Sequence, residues 1–505
     1  MLLARVAEAS AQVAATRSRL AKRAVLAKVL REAEPADVPI VARYLGGELR
    51  QRRTGLGWRS VSSLPAPAAV PTLTVVEVDE AFTRVSLLSG PGSAAARAAA
   101  VAELFGAATE PEQRLLRGLV TGELRQGALD ALLLEAVAEA AGVPADDVRR
   151  AAMLAGETEA VAVAALGPDA VDALGAFHLT VGRPVRPMLA QSAPDVAAAL
   201  ASLSGGPAMV DAKLDGIRIQ VHRRDGVVSV YTRSLDDITS RVPEIVVRVA
   251  GMPGGDLVLD GEALVVGTDG RPVAFQDTAA RSASRDADVA AATTLTPFFF
   301  DALHVDGRDL LDEPLSTRVA ALDQIADGAV VPRVVTTDVE EAQAAFRAAI
   351  AAGQEGVVVK STDAPYEAGR RGAAWIKVKP RHTLDLVVLA VEWGSGRRRG
   401  LLSNIHLGAR DPAGGFVMLG KTFKGLSDEV LRWQTERFDE LKIEDNGWVV
   451  TVRPEQVVEI AFDGVQRSSR YPGGVALRFA RVIRYREDKT AAEADTIEAV
   501  RAHIA

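Results

Sequence analysis

The stretch Asp211-Ala212-Lys213-Leu214-Asp215-Gly216-Ile217-Arg218 sets a lysine in front of an Asp-Gly turn from which a β-strand leaves. Ile217, Ile219 and Val221 then alternate with Arg218, Gln220 and His222. Asp225-Gly226 reverses the chain and Val227, Val228, Val230 and Tyr231 carry it back, which is a β-hairpin pattern. Further short strands are predicted at 257–259, 263–266, 298–300 and 357–360, with helices near 243–249 and 340–352. Residues 186–380 therefore read as an α+β domain, largely antiparallel. A lone lysine beside a turn is usually a solvated side chain. This one is accompanied by Asp260-Gly261-Glu262, Phe300-Asp301, Glu355-Gly356-Val357-Val358-Val359-Lys360 and Lys377-Val378-Lys379, each at an end of a predicted strand. A purely structural sheet has no reason to collect so many polar signatures at its strand ends.

The texture differs on either side. Leu2, Val6, Ala9 and Val13 keep helical spacing, Leu26, Val29 and Leu30 continue it, and Pro35 stops the run, so 1–185 reads as helical. Gly47-Glu48-Leu49-Arg50-Gln51 returns as Gly122-Glu123-Leu124-Arg125-Gln126, each time after an apolar helical segment, which suggests two related halves joined by a proline-rich surface connection at 62–71. After Pro380, strands are predicted at 384–393, 405–409, 416–419, 448–452 and 457–462 with one helix around 427–441, a pattern that fits a small Greek-key barrel of the OB type or a generic β-sandwich.

The 505 residues, 48% hydrophobic and 25% charged, are ordinary globular composition in about three domains. No run approaches the ~18 apolar residues of a membrane span, and Arg5 and Glu8 interrupt the N-terminus, so the chain reads as cytoplasmic. The absence of Cys removes disulfides, thiolate nucleophiles and cysteine zinc sites. The net charge of −7 argues against a polyanion partner. Basic and acidic residues number 20 and 21 in 1–185, 20 and 27 in 186–380, and 19 and 18 in 381–505, so such a partner would need local clusters such as Arg50, Arg52, Arg53 or Arg397, Arg398, Arg399.

The motifs resemble, in order, those of the covalent nucleotidyltransferases and specifically the ATP-dependent DNA ligases. Lys213 to Gly216 is similar to the K-x-D-G nucleophile motif, with Arg218 in its usual following place. Thr232-Arg233-Ser234, Asp260-Gly261-Glu262, Phe299-Phe300-Asp301, the 355–360 strand and Trp375-Ile376-Lys377-Val378-Lys379 resemble the succeeding elements. Leu477-Arg478-Phe479-Ala480-Arg481 with Arg486-Glu487-Asp488-Lys489 resembles the motif supplied by the barrel, and Arg186-Pro187-Met188-Leu189-Ala190 the lead-in to the catalytic domain. Ala480 stands where the family often has Pro, and Asp211 where it often has Glu. The whole chain is similar to three-domain ligases of the Ala-rich actinobacterial "ligase B" type. The zero Cys count separates it from zinc-bearing NAD-dependent ligases, and the helical domain in front separates it from RNA ligases and capping guanylyltransferases.

The resemblance implies a multidomain chain: an all-α DNA-binding domain over 1–185, an α+β nucleotidyltransferase domain over 186–380 and an OB-fold β-barrel domain over 381–505. It implies nick sealing in duplex DNA with ATP and Mg²⁺, through lysyl-AMP, by a monomer associated with the nucleoid, in replication, repair and recombination. Lys213 would be the nucleophile. A free lysine of pKa about 10.4 pays about 4.6 kcal/mol to deprotonate at pH 7, and nearby cations with desolvation can supply that. Lys377 and Lys379, at i and i+2, point the same way from a strand and would face the α-phosphate. Glu262 suits the ribose hydroxyls and, with Glu355, a divalent metal. Phe300 would stack on adenine and Asp211 would contact it. Arg218, Arg233 and Arg371 suit phosphate or ribose, and Arg486 with Lys489, oriented by Asp488, the departing pyrophosphate. Those last residues lie on the barrel, so it must close over the site for one step and swing away for the others about a hinge near 379–382.

Overall fold

The computed structural model describes all residues except 52, 125, 127–128, 204, 285–292, 368–370 and 505, and gives 129, 371–373 and 397 by backbone alone. From Leu3–Ala15 to Ala170–Gly175 the ordered elements among the described residues are helices. Their starts follow the sequence: Ser18 accepts from the Ala21 N–H, and Thr74 with Glu77 and Thr109 with Glu112 form reciprocal capping boxes. Leu3, Val6, Ala9 and Val13 are fully buried in one core with Leu26, Val29, Phe105 and Val137.

The sequence echo corresponds to a pseudo-two-fold arrangement. Helices Leu3–Ala15, Arg19–Glu32 and Val38–Leu45 are repeated as Val75–Leu87, Ser93–Ala107 and Glu110–Thr121. Where the two first helices begin, the Leu3 N–H donates to Leu73 O and the Val75 N–H to Met1 O, at 2.8 and 3.0 Å. Each bond is the other shifted by 72 positions, which is what a two-fold axis through the Leu2–Thr74 bridge requires. The echoed glutamines also cross reciprocally: Gln51 donates to Asp79 and Thr83 of the fourth helix, and Gln126 to Ser10 of the first. The 62–71 connection is mostly exposed, as its prolines predict.

The middle of the chain contains two five-stranded sheets. One runs in the order Leu189–Ser192, Arg371–Val378, Gly356–Ser361, Ala208–Lys213, Arg333–Thr336; the other runs Val227–Thr232, Ile217–Arg224, Leu257–Val265, Leu295–Val305, Arg308–Asp309. All pairings are antiparallel except the first of the first sheet. The Asp225-Gly226 hairpin forms with φ of 50° and 78°, the positive pair of a type I′ turn, and Asp306-Gly307 repeats it. One expectation is corrected: 257–259 and 263–266 are a single strand, Leu257–Val265. Asp260-Gly261 does not turn because it pairs with Gln220 and Ile219 on one side and with Asp301 and Phe299 on the other, and neighbours on both edges hold the backbone extended.

Beyond Pro380 the predicted five strands become nine among the described residues, with a second helix at Ile497–Arg501. The additional strands, Lys442–Asp445, Gly464–Arg467, Val475–Arg478 and Arg481–Arg486, are short or arginine-rich, so they lack the apolar alternation by which a strand is read. The long strand His382–Trp393 pairs along one edge with Leu402–Arg410 and along the other with both Val457–Phe462 and Val449–Val452. Helix Asp428–Glu440 buries Leu431 and Phe438 in the resulting core. No helix among the described residues is long and apolar enough to cross a membrane.

Candidate active site

Lys213 ends a strand of the first sheet, and four residues later Ile217 opens a strand of the second. Leu214-Asp215-Gly216 is therefore the crossing between the sheets. Gly216 is required there because a Cβ would lie 2.4 Å from the Ala263 carbonyl oxygen. A cleft of ≈ 850 Å³ opens at this crossing. Strand alternation decides which side chains reach it. Val210, Val357, Val359, Ile376 and Val378 turn to the two helices Val196–Ser202 and Val339–Ala351, while Asp211, Lys213, Val358, Lys360, Trp375 and Lys377 line the cleft on the other face.

At the cleft mouth Glu355 takes two cations at once, Lys213 on one carboxylate oxygen and Lys379 on the other, and Lys379 also lies 3.0 Å from Asp463 of the C-terminal unit. Burial would raise the Glu355 carboxyl, but Lys213 and Lys379 outweigh it and hold it below the usual carboxylate range. Lys379 itself is raised, burial being overcome by Glu355 and Asp463. Gly356 is obligatory at this point. Its φ is +147°, it pairs directly with Lys213, and a Cβ would fall 2.1 Å from the Val378 carbonyl oxygen.

Glu262 sits deeper. Burial pushes its carboxyl up to about 7, only partly opposed by Lys213 and Arg218, with Asp260 and Glu355 adding to the rise. A carboxyl whose charge is disfavoured chiefly by burial gains from a bound cation, and Glu262 with Glu355 would hold one as hard oxygen ligands. Among the described residues no cluster of three metal-ligating side chains forms, so the remaining ligands would be water and phosphate. Phe300 faces the cleft while Phe299 is fully buried, which separates the two by strand parity. Phe300 meets Trp375 edge-on at 5.8 Å, and the Lys360 ammonium lies 4.6 Å from the Phe300 ring centre. Lys360 is buried and 2.5 Å from Asp211.

Three family models match parts of the chain: "ATP dependent DNA ligase domain" over 187–379, "ATP dependent DNA ligase C terminal region" over 398–489 and "DNA ligase N terminus" over 60–138. A "Probable DNA ligase" of Beutenbergia cavernae is 71% identical, with 99% of each chain covered, and one of Kineococcus radiotolerans 63% identical, again with 99% of each covered. The chain belongs to the ATP-dependent DNA ligase family. The solved structure "Pmar-Lig_PreS3", 18% identical, covers 95% of this chain and 99% of its own with a TM-score of 0.65, so the two share a fold along nearly the full length.

In this ligase the sequence-predicted residues divide into four groups. Asp211, Lys213, Glu262, Phe300, Glu355, Lys377 and Lys379 converge on the cleft, and exposed Arg233 stands at its rim. Arg218 lines the cleft, but its guanidinium is committed: Asp260 takes two of its N–H groups at 3.0 and 2.6 Å and the Met188 carbonyl a third at 2.6 Å. Arg371 opens its strand with a side chain outside the described residues. Arg486 and Lys489 do not reach the cleft. Arg486 is held by Asp488 at 2.8 and 2.6 Å, as expected, and both cations pair with Asp385 on the barrel's own first strand. Their place is taken by Arg478, 2.7 Å from Asp215, and by Phe479, which is 61% exposed at a φ of +56°.

The structure adds residues to those read from sequence. Lys360 was legible as the only charge in a valine strand. Tyr366, whose hydroxyl joins Asp260 at 2.7 Å to the Met188 N–H at 3.0 Å, carried no signal because it comes from a loop distant in sequence. Of the basic clusters, Arg50 is paired with buried Asp79 and Arg398 with Ser403 and the Phe423 carbonyl, so each loses a member to internal structure.

Proposed function

We propose that the protein seals nicks in duplex DNA by three nucleotidyl transfers through Lys213, and that it acts as a monomer wherever replication, repair or recombination leaves a nick. The observation carrying this reading is the convergence of Lys213, Lys377, Lys379 and Glu355 at a cleft formed by the crossing of two sheets. In the first step the Lys213 amine attacks the α-phosphorus of ATP, forming a phosphoramide bond as the bond to pyrophosphate breaks. The AMP then passes to the 5′-phosphate of the nick, and the 3′-hydroxyl displaces it. Lys377 and Lys379 would oppose the negative charge that grows on the α-phosphate. Mg²⁺ held by Glu355 and Glu262 would add positive charge on the same side.

Adenine fits between the Phe300 and Trp375 edges and the buried Asp211–Lys360 pair, and Glu262 faces the ribose. Arg218, tied to Asp260, supports this wall rather than touching phosphate, while rim-exposed Arg233 is free of protein hydrogen bonds among the described residues and suits ribose or phosphate. Units 1–185, 186–380 and 381–505 serve as DNA-gripping helical domain, nucleotidyltransferase and OB-like barrel. Incubation with Mg²⁺ and α-labelled ATP followed by denaturation should leave label on the chain and none on Lys213→Ala. Label retained by Lys213→Ala refutes the nucleophile assignment. Label from GTP in place of ATP, or sealing confined to RNA strands, would point to a capping enzyme or RNA ligase.

A further inference from the structure

Lys379 lies at the seam of the molecule, one residue after the strand Arg371–Val378 and three before the barrel's first strand His382–Trp393. Its ammonium is held between a carboxylate from each side, Glu355 of the catalytic unit and Asp463 of the barrel. Asp463 occupies the turn between Val457–Phe462 and Gly464–Arg467, and its N–H donates to the Arg478 carbonyl at 3.0 Å. Arg478 in turn places its guanidinium on Asp215, two residues after Lys213. One backbone hydrogen bond thus couples two interdomain contacts, one to each of the lysine-bearing segments. In the same docking, the barrel's Arg486 and Lys489 are held by Asp385 and stay outside the cleft. The grip therefore belongs to an orientation in which the barrel presents Arg478 and Phe479 to the cleft while Arg486 and Lys489 stay away from it.

We propose that Asp463 is a positioning residue for Lys379 in the nick-bound half of the reaction, an inference that rests on the nucleotidyl-transfer reading above. Docking of the barrel supplies the second carboxylate that fixes Lys379, so the cation acquires its final orientation only once pyrophosphate has left. Before docking, Glu355 alone holds the side chain, and self-adenylation proceeds without Asp463.

The test compares the unaltered full-length protein with Asp463→Ala, Asp463→Asn and Asp463→Glu in three measurements: self-adenylation from α-labelled ATP, single-turnover sealing of a pre-adenylated nick at saturating protein, and affinity for that nick. Asp463→Ala should adenylate itself within about twofold of the unaltered rate and bind the nick equally well, yet seal it about tenfold more slowly, a loss typical of a displaced group. Asp463→Glu should recover most of the rate and Asp463→Asn little of it, because the carboxylate charge does the holding. Equal loss in adenylation and sealing, a loss confined to nick affinity, unchanged sealing, or Asn performing as well as Glu would each overturn the proposal. Failure of the unaltered protein to form labelled adduct would instead count against the underlying reading.

Discussion

Gly356 follows the carboxylate that holds both Lys213 and Lys379, and its backbone leaves no space for a side chain. Gly356→Ala should lower stability by about 1–3 kcal/mol, the usual cost of a disallowed φ, and should abolish adduct formation by displacing Glu355; thermal unfolding and labelled ATP check the two effects. His222 makes a second prediction. Burial, with a contribution from His304, pushes its imidazole down to about 3. The Gly182 N–H donates to Nδ1, and Nε2 donates to Gln220, so the ring is held neutral. The unfolded chain takes up a proton near pH 6.5 and the folded chain does not, so this stability is present above pH 6.5 and is lost as pH falls toward 3. About 1 kcal/mol should disappear between pH 7 and 5.5 in chemical denaturation. His222→Gln should flatten that slope.

At the level of elements, the helical domain is built by duplication of a three-helix unit whose halves exchange contacts. Gln51 makes three hydrogen bonds to the fourth helix, and Gln126 reaches the first. Replacing either by Ala leaves buried partners on the opposite half unpaired, at about 1–2 kcal/mol each. Urea denaturation should show both losses, and a loss at one glutamine alone would break the symmetry argument. In the catalytic unit the first sheet acts as a sorting device, since its motif strands turn Val210, Val357, Val359, Ile376 and Val378 toward the helices and Asp211, Lys213, Lys360, Trp375 and Lys377 toward the cleft. The same alternation made Lys377 readable in sequence.

For the whole molecule, the orientation of the barrel is the variable that matters. It presents Arg478 and Phe479 to the cleft and withholds Arg486 and Lys489. Lys489→Ala should therefore impair self-adenylation while leaving sealing of pre-adenylated nicks comparatively intact; equal damage to both would contradict a swinging barrel. Charge also acts at this scale. If a chain of net charge −7 grips a duplex through cations spread over three units, as proposed, affinity for a nick should fall log-linearly and steeply with salt in a titration. A flat response would exclude phosphate contacts as the main source of binding.

Sequence by itself determined the three textures and the order of the motifs, because a strand's period of two and an Asp-Gly turn are local properties that residues declare without their neighbours, and resemblance of the motifs singled out Lys213. It also contained the helical duplication, in five letters repeated after 75 positions. The tertiary structure decided what depends on partners distant in the chain. Asp260-Gly261 stays extended because strands flank it on both sides, Arg218 faces Asp260 instead of solvent, Tyr366 reaches Asp260 from a loop, and Lys379 acquires Asp463 from another unit. Whether a guanidinium or ammonium meets substrate or protein depends on which carboxylate the fold brings within 3 Å of it, and linear spacing carries no record of that distance.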